Sequence, residues 1–254
     1  MEEFIKFINK LISQDSKSTA EFYNDLLNGR KVRKIVGVDN RYKIENTWQI
    51  TMIEKYFDPI LNQILKPNSN LLDYGCGNGF FTKRLSEFCN TVTGVDISEE
   101  FIKQALINKS RNSNFYVINP NSKRIELQIE FNACLMVDVV HHLEYPKIDL
   151  EFLSTKLKKN DPIIIFEPNI KNPAIFLMHL FDKNERGLLR FMRINSYVEL
   201  FKNYITLESI TYNGILIGPA NRFTNSIVRL LNAKHFKVFF GWLNPKIVFI
   251  GRFK

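Results

Sequence analysis

Apolar residues recur at spacings of three and four in Phe4, Ile5, Ile8, Leu11 and Ile12, and again in Ile53, Tyr56, Phe57, Ile60, Leu61, Ile64 and Leu65. That period predicts helices within residues 1–65, an N-terminal helical extension. The basic stretch Asn28-Gly29-Arg30-Lys31 reads as a connection, and Pro67-Asn68-Ser69-Asn70 as a stop.

Beyond residue 70 the period shortens and lengthens in alternation. Leu71-Leu72-Asp73-Tyr74 is a short apolar run, Phe80 to Phe88 a helix, and Thr91 to Asp96 a strand. Ser98-Glu99-Glu100 opens the next helix, with Ser98 at the N-cap and acids in the first turn. Phe115 to Ile118 is a third strand. Ala133 to Val137 is a fourth, without alternation, as for a strand buried on both faces. Leu150 to Lys158 is a helix and Ile163 to Phe166 a fifth strand. This order predicts an α/β fold with a doubly wound, mainly parallel sheet. Past Pro168 the pattern loosens. Helical pieces read at Ala174 to Phe181, Gly187 to Met192 and Asn225 to Leu231, with strands within Ile205 to Leu216 and at Lys246 to Arg252. Three segments follow: a helical cap at 1–65, a core at 66–170, and acceptor-side insertions with closing strands of the same sheet at 171–254.

Composition changes this picture little. Of 254 residues, 45% are hydrophobic and 24% charged, which excludes a largely disordered chain. No apolar run reaches the ~18 residues of a membrane span. Met1-Glu2-Glu3-Phe4 is acidic where a secretory signal is basic and then apolar. Cys76, Cys89 and Cys134 form no CxxC pair, so a reduced, cytoplasmic setting is expected. Charge is more telling. The net +9 gathers near the end: after Glu208 there is no acid, but there are Arg222, Arg229, Lys234, Lys237, Lys246, Arg252 and Lys254. Mixed with Phe223, Phe236, Phe239, Phe240 and Trp242, these suit an anionic membrane surface or a lipid phosphate. The plainer alternative places the aromatics in the core and the cations on a solvated face.

Chemistry concentrates in Asp73-Tyr74-Gly75-Cys76-Gly77-Asn78-Gly79, a strand running into a glycine turn before a helix. Such a turn lets backbone N–H groups approach a ligand. Asp96 ends the next strand, seventeen residues after Gly79, where a carboxylate can accept bonds from both hydroxyls of a ribose. A dinucleotide fingerprint needs its third glycine where Phe80 stands, which argues against a NAD-dependent oxidoreductase. Asp73 disfavours a pyrophosphate nearby and favours an ammonium. The implied ligand has a ribose and a cationic amino-acid tail.

Asp73-x-Gly75-x-Gly77-x-Gly79, followed by Val95-Asp96-Ile97-Ser98, resembles the class I S-adenosylmethionine-dependent methyltransferases over roughly residues 66–170. The resemblance implies a seven-stranded sheet with an antiparallel last strand, supplied by Lys246 to Phe253. It implies that Gly75, Cys76, Gly77, Asn78 and Gly79 line the methionine part of the cofactor, with Asp73 near it. Asp96 would hold the ribose, Ile97 would pack on the adenine, and Asn119 would meet the adenine amino group. Asp138, after the fourth strand, would meet the amino-acid end, and His142, His141 or Glu167 of the turn Glu167-Pro168-Asn169 would act as general base. Adjacent histidines are expected to point different ways. No metal site is expected, because His179 and His235 stand alone in the sequence.

The acceptor expected is a small molecule, a sugar or a lipid-linked compound, methylated on oxygen. Nucleic acid is the rival acceptor, but Asp138-Val139-Val140-His141 stands where base-amine enzymes carry [DN]-P-P-[FYW], and Cys134 lies inside a strand. A cofactor-binding scaffold without catalysis is the remaining alternative.

Overall fold

The computed structural model describes residues 47–107, 109–118, 129–182, 185–218 and 220–254. The helices expected before residue 47, and Asn119, lie outside the described residues.

The single helix expected up to Leu65 is two: α1 (Thr47–Tyr56) and α2 (Asp58–Ile64). Pro59 opens α2 and has no N–H to continue α1, so the chain breaks at Phe57. The Rossmann-like half then alternates: β1 (Asn70–Tyr74), α3 (Phe80–Leu85), β2 (Thr91–Asp96), α4 (Glu99–Ile107), β3 (Ser113–Val117), β4 (Ala133–Val137), α5 (Pro146–Lys156) and β5 (Pro162–Pro168). The remainder gives α6 (Pro173–Phe181), a 3-10 turn at Arg186–Arg190, α7 (Ile194–Phe201), β6 (Ile205–Asn213), α8 (Arg222–Leu231), α9 (Lys234–Phe240) and β7 (Lys246–Phe253). Helices α7 and α9 were not anticipated.

All seven strands form one sheet in the order β3-β2-β1-β4-β5-β7-β6. The first five pair in parallel, and β7 runs antiparallel to both β5 and β6. Strands from either side of residue 170 therefore share one sheet. The order turns outward in both directions from β1 and β4, so a crevice opens at their C-terminal ends.

Successive strand residues face opposite cores. Leu71, Leu135, Phe166 and Val248 meet Met52, Leu61 and Phe81 from the first three helices and Phe57 from the break between α1 and α2. Leu72, Met136, Ile165 and Phe249 meet Leu150, Leu153, Tyr197 and Phe201 from α5 and α7. The break at Phe57 is itself useful: its fully buried ring lies 4.8 Å from Phe81 and 5.1 Å from Phe166, centroid to centroid. It ties the helical entry to the sheet. Phe57→Ala is expected to cost about 3–5 kcal/mol by loss of burial and a residual cavity, read as a lower urea midpoint with an unchanged slope.

Candidate active site

The turn after β1 is shaped by its glycines. Gly75, Gly77 and Gly79 all have positive φ, between 53° and 80°. At Gly75 an added Cβ would lie 2.3 Å from Val139, so the turns after β1 and β4 touch there. At Gly77 an added Cβ would meet nothing within 4 Å, so this backbone borders open space. Asn78 accepts from the Phe80 N–H and starts α3. Cys76 packs with Ile102, Ala105 and Phe115 rather than facing the opening, so it offers a ligand only backbone.

Two carboxylates flank this space. Asp96 accepts from the N–H of Gly77 and of Ser98, each at 2.9 Å. Burial raises its pKa against the bonds from Ser98, Gly77 and Ile97, so hydroxyl donors arriving there would favour the charged form. Asp73 is buried and accepts from the Thr82 hydroxyl at 2.6 Å. Burial, reinforced by the charge of Asp96 and opposed by that hydroxyl, raises its pKa to about 7. An ammonium nearby would discharge its proton. An open glycine backbone, a rim carboxylate and a second acid ready to ionise fit a ribose-bearing, ammonium-bearing ligand. Ile97, half-buried, follows Asp96 on the same rim.

The β4 end is organised by Glu167. Its wholly buried carboxylate accepts from the N–H of Val139 at 3.1 Å and of Val140 at 2.8 Å. The other oxygen takes His141 Nδ1 at 2.6 Å and the Tyr197 hydroxyl at 2.8 Å. Burial alone would raise the pKa of Glu167, but the charge and hydrogen bond of His141 outweigh it and lower it. Burial alone would lower that of His141, but Glu167 raises it. Each thus favours the charged form of the other. Glu167, expected as a base, instead holds the turn, and its lone pairs are committed. Asp138, at φ 57°, pairs with Lys246 from the start of β7, so the carboxylate expected at the cofactor's amino-acid end already has a cation. Nothing in the sequence singled out Lys246; its near-complete burial does.

His141 and His142 do not diverge. Their rings lie 4.0 Å apart, and both Nε2 atoms face Glu185 Oε2, at 4.0 and 3.8 Å. A 3-10 turn over Val140–His142 permits this. His179 is not isolated either: its Nε2 lies 3.9 Å from the same oxygen. Burial, joined by the charge of neighbouring His141, sets the pKa of His142 well below the usual imidazole value. Cys134 is fully buried and its thiol is held well above its ordinary pKa by burial, which removes it as a thiolate nucleophile.

Residues 72–165 match the family model described as a methyltransferase domain. A ubiquinone biosynthesis O-methyltransferase of Idiomarina loihiensis is 22% identical over 191 residues, 71% of this chain and 76% of that protein. The chain spans about half of a Xanthomonas campestris protein of the same name, 52%, also at 22% identity over 48% of this chain. Among solved structures, the N-methyltransferase NodS of Bradyrhizobium japonicum, in complex with S-adenosyl-L-homocysteine, shares the fold with a TM-score of 0.57 and 11% identity. That likeness covers 93% of this chain and 99% of the other. A protein of Pyrococcus horikoshii superposes with a TM-score of 0.59 at 21% identity, over 85% and 95% of the two chains.

The Asp73 carboxyl holds its proton up to about pH 7 when folded, against 3.8 for the unperturbed group. Between those values the folded state binds more protons, so this group's contribution is full below the lower pKa and is lost as pH rises to the higher one. Asp73→Asn is expected to be near-neutral at pH ~4 and stabilising at pH ~8 by roughly a few kcal/mol. Urea unfolding of both proteins across that range checks it; a difference that stays flat with pH would sink the assignment.

Proposed function

The chain is a class I S-adenosylmethionine-dependent methyltransferase whose family domain spans residues 72–165, and on that premise we propose that it O-methylates a lipid-linked hydroxyl at an anionic membrane surface. S-adenosylmethionine supplies a methyl group already activated by its sulfonium, so the protein need not protonate a leaving group. In this reading the positive-φ turn Gly75–Gly79, open at Gly77, receives the cofactor, Asp96 takes the ribose and Asp73 the cationic amino-acid end. What remains for the protein is to align acceptor and methyl and to exclude water. With both histidines turned to Glu185, positioning carries the rate in this reading.

The observation that carries the acceptor reading is the face of α8 and α9. No residue of α9 is buried against the described residues, and Val238 and Phe239 are more than two-thirds exposed. Phe223, Phe236, Phe240 and Trp242 extend this apolar surface, so these aromatics are not core. Arg222, Arg229, Lys234 and Lys237 stand exposed among them. The other late cations are committed elsewhere: Lys246 to Asp138, Arg252 to Glu208 and the Asn160 carbonyl, and Lys254 to the Lys202 carbonyl. Exposed aromatics with interspersed cations suit the headgroup region of a bilayer better than a nucleic-acid groove. A quinone precursor, as in the names of the curated relatives, is one acceptor of this class. Among the described residues no helix is long and apolar enough to cross a membrane.

Two measurements test this. Calorimetric titration with S-adenosylhomocysteine should give micromolar binding, weakened at least about tenfold by Asp96→Ala through loss of a charge-assisted bond. No binding to the intact chain would overturn the cofactor roles given to these residues. Flotation with phosphatidylglycerol-rich vesicles should recover the protein, and joint neutralisation of Arg229, Lys234 and Lys237 should abolish recovery. Failure to float, with preference for RNA, would move the acceptor reading to nucleic acid.

A further inference from the structure

Four side chains beside the β4 turn converge without bonding to one another as their chemistry would allow. Glu185 Oε2 is shielded from solvent and has no hydrogen-bond partner among the described residues. It lies 3.8 Å from His142 Nε2, 3.9 Å from His179 Nε2 and 4.0 Å from His141 Nε2. Those separations are too long for hydrogen bonds. They approach the ~3.4 Å expected between neighbouring ligands that share one ion at ~2.1 Å in a tetrahedron. The rings are also held in the right sense. His141 Nδ1 meets Glu167 at 2.6 Å, and His179 Nδ1 meets the Ile175 carbonyl at 2.8 Å. Each Nδ1–H donates to its oxygen, which turns Nε2 toward Glu185. A carboxylate or carbonyl behind a histidine in this way is the usual outer support of a metal-bound imidazole. The ligand atoms of His141, His142 and Glu185 all lie within 4.8 Å of one another.

We propose that His141 and His142, through Nε2, and Glu185, through Oε2, form a site for one first-row divalent cation of the zinc type, with His179 beside it. Two imidazoles and one carboxylate favour such borderline ions over calcium or magnesium, which take oxygen ligands. Three protein ligands leave the fourth position of a tetrahedron to water. The cation would join the β4 turn to the chain that follows α6. It is a clamp at the edge of the crevice, and it would take the position of a proton on the imidazoles. The site does not depend on the acceptor, on the cofactor or on the membrane reading.

The test uses the full chain stripped with a chelator and titrated with Zn(II) by calorimetry and with Co(II) by visible absorption. One ion should bind per chain, and Co(II) should show the intense bands of a four-coordinate site. Glu185→Gln and His142→Gln should each lower affinity by at least the ~10- to 100-fold seen for loss of an outer-shell partner. His235→Gln, an exposed histidine elsewhere, should change nothing. Circular dichroism of the metal-free variants checks folding; should His142→Gln not fold, Glu185→Gln alone decides, since its Oε2 meets no hydrogen-bond partner among the described residues. Absence of one-to-one binding, or binding that survives substitution at Glu185, overturns the proposal.

Discussion

A single buried carboxylate organises the catalytic edge. Glu167 has no solvent, and a charge without water is tolerated only where hydrogen bonds replace it. Here four donors do so: two backbone N–H groups, one imidazole and one phenol. Each donor belongs to something that must be placed. The N–H groups fix the backbone after Asp138, which turns through positive φ at that point. That in turn seats Val139 against Gly75, so the shape of the cofactor turn is set from the neighbouring strand. The phenol fixes α7, and the imidazole fixes His141. Removing the carboxylate would release all of these together, because the effects of groups in one network do not add.

What the sequence made legible follows from what is local. Strands β2 and β4 appear with the expected boundaries, because a short apolar run between polar turns is a local signal. The glycine turn was equally readable, since positive φ is demanded residue by residue. Pro59 could have warned of the break between α1 and α2, but the apolar period runs through it. Helix α9, Lys-His-Phe-Lys-Val-Phe-Phe, escaped because it is short and every residue in it is exposed, so no buried face marks it in the sequence. The histidine cluster was illegible for a different reason. His179 and Glu185 come from α6 and just past it, and only the return of the chain after β5 brings them to the β4 turn. Spacing along the chain carries no trace of that.

The late cations show how far composition can mislead. In the sequence they form one uninterrupted basic stretch. In the structure they divide: Lys246 is buried against Asp138, and Arg252 pairs with Glu208. Four cations remain among exposed aromatics on α8 and α9. The net charge thus overstates the charged surface, whereas the aromatic content understates the apolar one. Only the second error bears on function, since an exposed apolar patch of this kind is costly to keep unless something covers it.

The turn Glu167-Pro168-Asn169 joins the β4 turn to the chain that leaves α9. Glu167 reaches back to the β4 turn, while Asn169 reaches the other way. Its amide donates to the carbonyls of Trp242 and Asn244 at 2.7 Å each, and its own N–H meets the Pro245 carbonyl at 2.9 Å. Asn172 caps α6 with its oxygen and donates to the Leu243 carbonyl. The exposed helices α8 and α9 are therefore not a loose appendage; the chain leaving them is bonded to the strand end that sets the catalytic edge. Pro168 keeps this geometry by restricting the backbone between the two bonding residues. The exposed aromatic face of α8 and α9 and the crevice at the ends of β1 and β4 are therefore linked through one short turn. Under the proposed membrane reading, that turn would hold the docking face and the crevice in a set relation.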